Sequence, residues 1–252
     1  MNHVIASDQL KMKRTFIKPI SFLFPFLILL LSFLILSMQK ESMTSQVNSM
    51  WESMVVLTHF IIMFVIPMAI TIMVSNLISL EHQNNSWKLL FALPISKFSF
   101  YFSKLYMILK LCFLSGIVIF LGFIVIGKIL NFKGDIPYAL LLGEAFLPFL
   151  GTFPIITFQL WLSIRFKNQA FPIAIGVFGT VCMFFLQMNK ITSMFFWAYP
   201  ALMTPVKQLI IDGNLAEIVP NGDLGFYTLL SIVFGLIFMV IGMFDFSRQS
   251  TE

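Results

Sequence analysis

Charge is what this chain has least of. Only 11% of its 252 residues are Asp, Glu, Lys or Arg, while 59% are hydrophobic. So apolar a composition excludes a soluble globular domain and points to one polytopic membrane domain. Cysteine is almost absent as well. Cys112 and Cys182 both lie inside apolar segments, which leaves no disulfide framework and no metal site and makes both packing residues. The net charge of +5 is scattered among loops rather than gathered in a stripe, so no nucleic-acid partner is implied.

The residues of familiar hydrolytic chemistry are missing too. There is no His-Glu-x-x-His pattern, no Gly-x-Ser-x-Gly elbow, and no aspartate pair inside an apolar run, since Asp245 falls at the edge of one. Gly122–Lys128 has the spacing of a phosphate-binding loop, but Ile129 follows where Ser or Thr is needed, and the stretch ends an apolar run. The chain is therefore expected to be no enzyme and to hold no cofactor of its own. A pump driven by protons or sodium would place ionisable groups at mid-membrane. Glu144 is the single candidate for such a substrate-path residue. The other reading makes it an outer-leaflet carboxylate satisfied by water or a neighbouring helix.

What the chain does have is a succession of long apolar runs: about residues 19–38, 54–80, 105–126, 137–164, 170–187 and 224–244. Twenty residues of helix rise about 30 Å, the thickness of the hydrocarbon core. The fold class expected is all-α, with six membrane helices in one domain. The basic flank Met1–Lys18 precedes a run too long for a cleavable signal peptide, and Val4, Ile5 and Leu10 suit an interfacial helix ahead of it. Lys11, Lys13, Arg14, Lys18, Lys88, Lys97, Lys104, Lys110, Arg165, Lys167 and Arg248 fall on one side of the spans; Lys40, Lys128, Lys133, Lys190 and Lys207 fall on the other. The positive-inside rule puts both termini in the cytoplasm. His59 reads as an interface or packing residue, and Pro67 as a kink whose freed carbonyl a neighbour satisfies.

Between the fifth and sixth runs, Met188–Asp223 is too long for a turn and too mixed for a span. Trp197 and Tyr199 suit the membrane interface. Thr204-Pro205 and Gly213 bracket an expected short helix with Val206, Leu209 and Ile210 on one face, lying in the headgroups or re-entering the membrane.

The cytoplasmic loop 81–104 is the richest stretch. Trp87, Leu90 and Phe91 share one face of a short helix, Pro94 stops it, and Ser96 caps the next. Glu81 stands where the second span ends, placed to cap that helix or to pair with a basic residue of a docked partner. The apolar face needs a cover, either the membrane surface or a protein. The string Glu81…Asn85-Ser86-Trp87-Lys88-Leu89-Leu90…Leu93-Pro94-Ile95-Ser96…Ser103-Lys104, with Trp197-Ala198-Tyr199-Pro200, resembles permeases of the ABC-2 exporter type. Within that type it is most similar to the small permeases of bacterial lantibiotic (bacteriocin) immunity transporters.

The resemblance implies that the loop is a coupling helix seated in a separate ATPase subunit, with Glu81 at a position that is typically acidic in the family. It implies ATP and Mg on that ATPase, a re-entrant helix pair before the last span, and a location in the bacterial cell membrane. It also implies export of membrane-active peptides, often lantibiotics, from the outer leaflet. Six spans are half of the usual twelve, so a second permease copy or a paralogue is expected. Two alternatives remain: an ABC permease for a lipid, drug or other peptide, and a scaffold or sensor subunit that recruits a cytoplasmic regulator.

Overall fold

The computed structural model describes residues 17–44, 49–83, 96–211 and 215–248. The expected interfacial helix near the N-terminus lies outside these residues. So do Trp87, Leu90, Phe91 and Pro94 of the central loop.

Within the described residues, eight helices and one hairpin follow in order: α1 Ile17–Thr44, α2 Met50–Gln83, α3 Lys97–Ile129, α4 Tyr138–Gly151, α5 Phe153–Arg165, α6 Ala170–Leu186, short 3-10 turns at Thr192–Met194 and Phe196–Ala198, α7 Tyr199–Leu202, β1 Val206–Ile211, β2 Leu215–Pro220, and α8 Leu224–Arg248. By length and hydropathy five segments are able to cross a membrane: Ser21–Gln39, Met50–Gln83, Lys97–Ile129, Tyr138–Arg165 and Leu224–Arg248. The fifth expected span, 170–187, is an apolar helix of 17 residues, Ala170–Leu186, shorter than the five segments just named.

Helix ends follow local chemistry. Ser49 and Glu52 form a reciprocal capping box at the start of α2: each side chain takes the other's backbone N–H, at 3.3 and 3.2 Å. The Ser96 hydroxyl accepts the Ser99 N–H at 3.2 Å and opens α3, as the sequence indicates. At the far end of α3, Asn131 takes a left-handed conformation (φ 55°). The Phe132 N–H then reaches the Gly127 carbonyl and the Asn131 N–H the Lys128 carbonyl, a Schellman closure.

Prolines inside spans free carbonyls, and neighbouring helices take them up. Pro25 offers no N–H to the Ser21 carbonyl, which accepts the Ser115 hydroxyl of α3 at 3.1 Å. Pro154 likewise abandons the Leu150 carbonyl, which accepts the Ser231 hydroxyl of α8 at 2.6 Å. This second proline explains why the expected single helix over 137–164 is interrupted. It breaks at Thr152 into α4 and α5, where Gly151 also lets the backbone of Tyr199 and Pro200 approach; a Cβ there would sit 2.9 Å from the Tyr199 carbonyl.

Helix α2 is the axis of the bundle. It packs on α1, α5, α6 and α4, and most of its length is buried. Helix α8 lies mainly along α5, also touches α3 and α4, and presents much of its surface outward.

Two expectations fail between α6 and α8. The short helix expected after Thr204-Pro205 is an antiparallel hairpin, registered Val206↔Pro220 through Ile211↔Leu215. Val206, Ile210, Ile211, Ile218 and Val219 are β-branched and favour strand, which outweighs their helix-compatible spacing. The architecture is thus helical with one small β element, and the expected re-entrant helix pair is not what occupies 206–220. Trp197 and Tyr199, expected at the membrane interface, are buried within the protein, 4% and 0% exposed. They belong to a cluster with Ile155, Phe196 and Met203, closed over by Phe158, Phe234 and Phe238. The Tyr199 hydroxyl is satisfied internally, donating to the Met194 carbonyl at 2.7 Å.

Candidate functional site

Among the described residues, two buried ion-paired centres lie toward opposite ends of α2. Helices α2 and α3 flank the loop and bring their ends together, so Glu81 on the last turn of α2 meets Lys104 on the second turn of α3. The Lys104 ammonium donates to Glu81 Oε1 at 2.7 Å, and the side chains are 1% and 3% exposed. Lys104 also lies 5.0 Å from the Phe100 ring centroid, a cation–π contact. Two charges withdrawn from solvent demand each other, because either one alone would carry its full desolvation cost. Glu81 is therefore turned into the protein. The sequence offers it a helix cap or a partner's base; Lys104 is a further, internal partner.

The same end carries further ties. His82 Nε2 donates to the Ser163 carbonyl of α5 at 3.0 Å. Lys97 donates to the Ser247 carbonyl of α8 at 2.9 Å, and the Trp161 indole N–H to Asp245 at 3.1 Å. Together these contacts knit α2, α3, α5 and α8 at this end of the bundle.

Further along α2, a buried polar group joins it to α5 and α6. The Gln159 amide donates to the Pro172 carbonyl at 2.8 Å and to Ser75 Oγ at 3.3 Å, and Ser75 Oγ meets Ser163 Oγ at 3.3 Å. Gly176 gives Thr71 room to pack, since any side chain there would overlap it. Hydroxyl and amide bonds of this sort hold membrane helices together where no hydrophobic force does.

Toward the other end, Glu144 of α4 has no exposed surface. Its Oε1 lies 2.7 Å from His59 Nδ1 of α2, and its Oε2 accepts the Thr204 hydroxyl at 2.8 Å. His59 Nε2 faces the Ala201 carbonyl at 2.9 Å. A carbonyl only accepts, so Nε2 carries a proton, and the Nδ1–Oε1 contact holds one more. Whichever atom that proton sits on, the pair as a whole is neutral. Glu144, a candidate substrate-path residue from sequence, is in this conformation a tie between α2, α4 and the segment before the hairpin. His59 is its partner rather than an isolated packing residue. The pairing has a sequence signal: each is an ionisable residue in the first half of its span, and spans two and four run in the same direction.

Among the described residues no group of His, Cys, Asp and Glu is arranged to hold a metal ion. The long apolar helices, buried ion pairs and cross-helix hydroxyl bonds define a multi-pass membrane protein. A family model described as "ABC-2 family transporter protein" matches residues 4–183, and the chain belongs to that family. No curated protein and no solved structure matches it. Members of the family are membrane components of ATP-driven transporters, and membership implies pairing with an ABC ATPase, generally a separate subunit.

Proposed function

We propose that the protein is the permease subunit of an exporter that expels membrane-active peptides such as lantibiotics, with both termini in the cytoplasm. Residues 81–104 are its handle on the ATPase. Trp87, Leu90 and Phe91 form the docking face, Pro94 ends the docking helix, and Glu81 positions it. ATP and Mg bind to the partner ATPase dimer, and a second permease copy or a paralogue completes the membrane pathway.

The observation that carries this reading is the Glu81–Lys104 pair, which ties together the two helices entering and leaving the handle. A displacement of the segment moves α2 and α3 together rather than separately. Helix α2 continues past the Gln159–Ser75 contact to His59, so motion at one end reaches the other along a single element. A carrier powered in trans needs such a rod and no proton relay of its own.

The test is peptide challenge of cells that carry the protein with its ATPase. Intact cells survive a membrane-active peptide at concentrations that kill cells lacking the protein, and Trp87→Ala removes the protection at unchanged membrane level. Equal sensitivity across a panel of such peptides would move the cargo to a lipid or drug.

A further inference from the structure

At the His59 end of the bundle the hairpin roofs a cavity of about 480 Å³. Its lining includes a face of α2 made by Val56, Phe60 and Met63 and the polar residues Gln187, Lys207, Asn221 and Asp223. Helix α2 has 34 residues, about 50 Å of helix against a hydrocarbon core of about 30 Å, so about seven residues overhang at each end. Val56–Met63 therefore straddles the boundary between hydrocarbon and headgroups. The cavity thus combines an apolar face with polar groups.

Its charge has a sign. Lys207 donates to Asp223 Oδ2 at 2.9 Å, with the two side chains 39% and 64% exposed. Lys190 lies outside the lining but close enough to act on the same carboxylate, so two lysines face one acid beside the cavity. The His59–Glu144 pair adds nothing to the balance, since it is neutral as a unit. The Gln187 amide is directed at the Met63 sulfur at 3.9 Å, a weak acceptor that an oxygen would readily replace. An exposed lysine–aspartate bridge contributes little, and its lysine exchanges partners easily.

We propose that this cavity binds an anionic amphiphile, with a phosphate or carboxylate on Lys207 and Gln187 and the chain along Val56, Phe60 and Met63. The site is independent of the cargo and of ATPase docking, which belongs to the other end of α2. It gives the outer end of the rod a ligand of its own, seated against the hairpin, α2 and the start of α8.

The experiment is native mass spectrometry of the delipidated full-length protein, titrated with phosphatidylglycerol, oleate, phosphatidylcholine and glycerol phosphate. Retention of phosphatidylglycerol or oleate well above phosphatidylcholine is expected, and which of the two is retained assigns the headgroup. Lys207→Gln weakens retention about tenfold, the loss of one charge-assisted hydrogen bond. Gln187→Ala weakens it less. Asp223→Asn frees Lys207 and strengthens it. A bridge with only a structural role would make Lys207→Gln and Asp223→Asn change retention in the same direction, and that result overturns the site. So does equal retention of phosphatidylcholine, and equal binding of tail-less glycerol phosphate removes the apolar wall from it.

Discussion

Lys104 and Glu81 are among the most deeply buried charged residues described, and each is costly without the other. Glu81→Gln or Lys104→Met alone should lower stability by about 3–5 kcal/mol. The double variant Glu81→Leu/Lys104→Met should be less destabilised than either single one, which thermal unfolding in detergent measures. Ser231→Ala leaves the Leu150 carbonyl without its hydroxyl donor and should cost about 0.6–2 kcal/mol by the same measurement. None of these partnerships is written in the chain locally. Glu81 and Lys104 are 23 residues apart, and His59 and Glu144 are 85 apart. The sequence shows that each residue is an anomaly in or beside an apolar run. Only the packing of α2 against α3 and α4 shows which anomaly answers which.

At the scale of elements, the apolar runs were legible because membrane spans are one-dimensional signals: length and hydropathy alone mark them. The Ser96 cap was legible for a similar reason, being a contact three residues away. The hairpin was not. Val206, Leu209 and Ile210 fit helical spacing, and Thr204-Pro205 reads as a helix start. The Thr204 hydroxyl instead donates to Glu144 and to the Val206 carbonyl, so it caps nothing. The interruption of the fourth span is not marked by hydropathy, which runs unbroken across Pro148 and Pro154. Gly151→Ala at that joint should destabilise by about 1–3 kcal/mol, because its Cβ would meet the backbone of Tyr199 and Pro200 rather than a side chain able to move. The hairpin should also respond to acid. The Lys207 hydrogen bond, and then its charge, hold the Asp223 carboxyl below the usual aspartate range. A depressed folded value means that the contribution is present above the unfolded value and is lost as pH falls through the folded one. Tm scans from about pH 6 to about pH 3 should therefore show an acid-side loss in the wild type that is smaller in Asp223→Asn.

For the whole molecule, α2 joins three polar centres along one helix: Glu81 at its last turn, Ser75 with Gln159 farther in, and His59 at the cavity. An ABC-2 family transporter needs its membrane component to feel an ABC ATPase, generally a separate subunit. In the proposed function, residues 84–95 make that contact, and α2 and α3, acting as one body, transmit it. The direct measurement is affinity purification of the tagged protein from native membranes, with the ATPase recovered per permease determined by quantitative mass spectrometry. Wild type should bring down an ABC ATPase, and Trp87→Ala and Phe91→Ala should lose it at unchanged membrane level and unfolding temperature. Wild type that recovers no ATPase, or variants that retain it undiminished, would contradict the account.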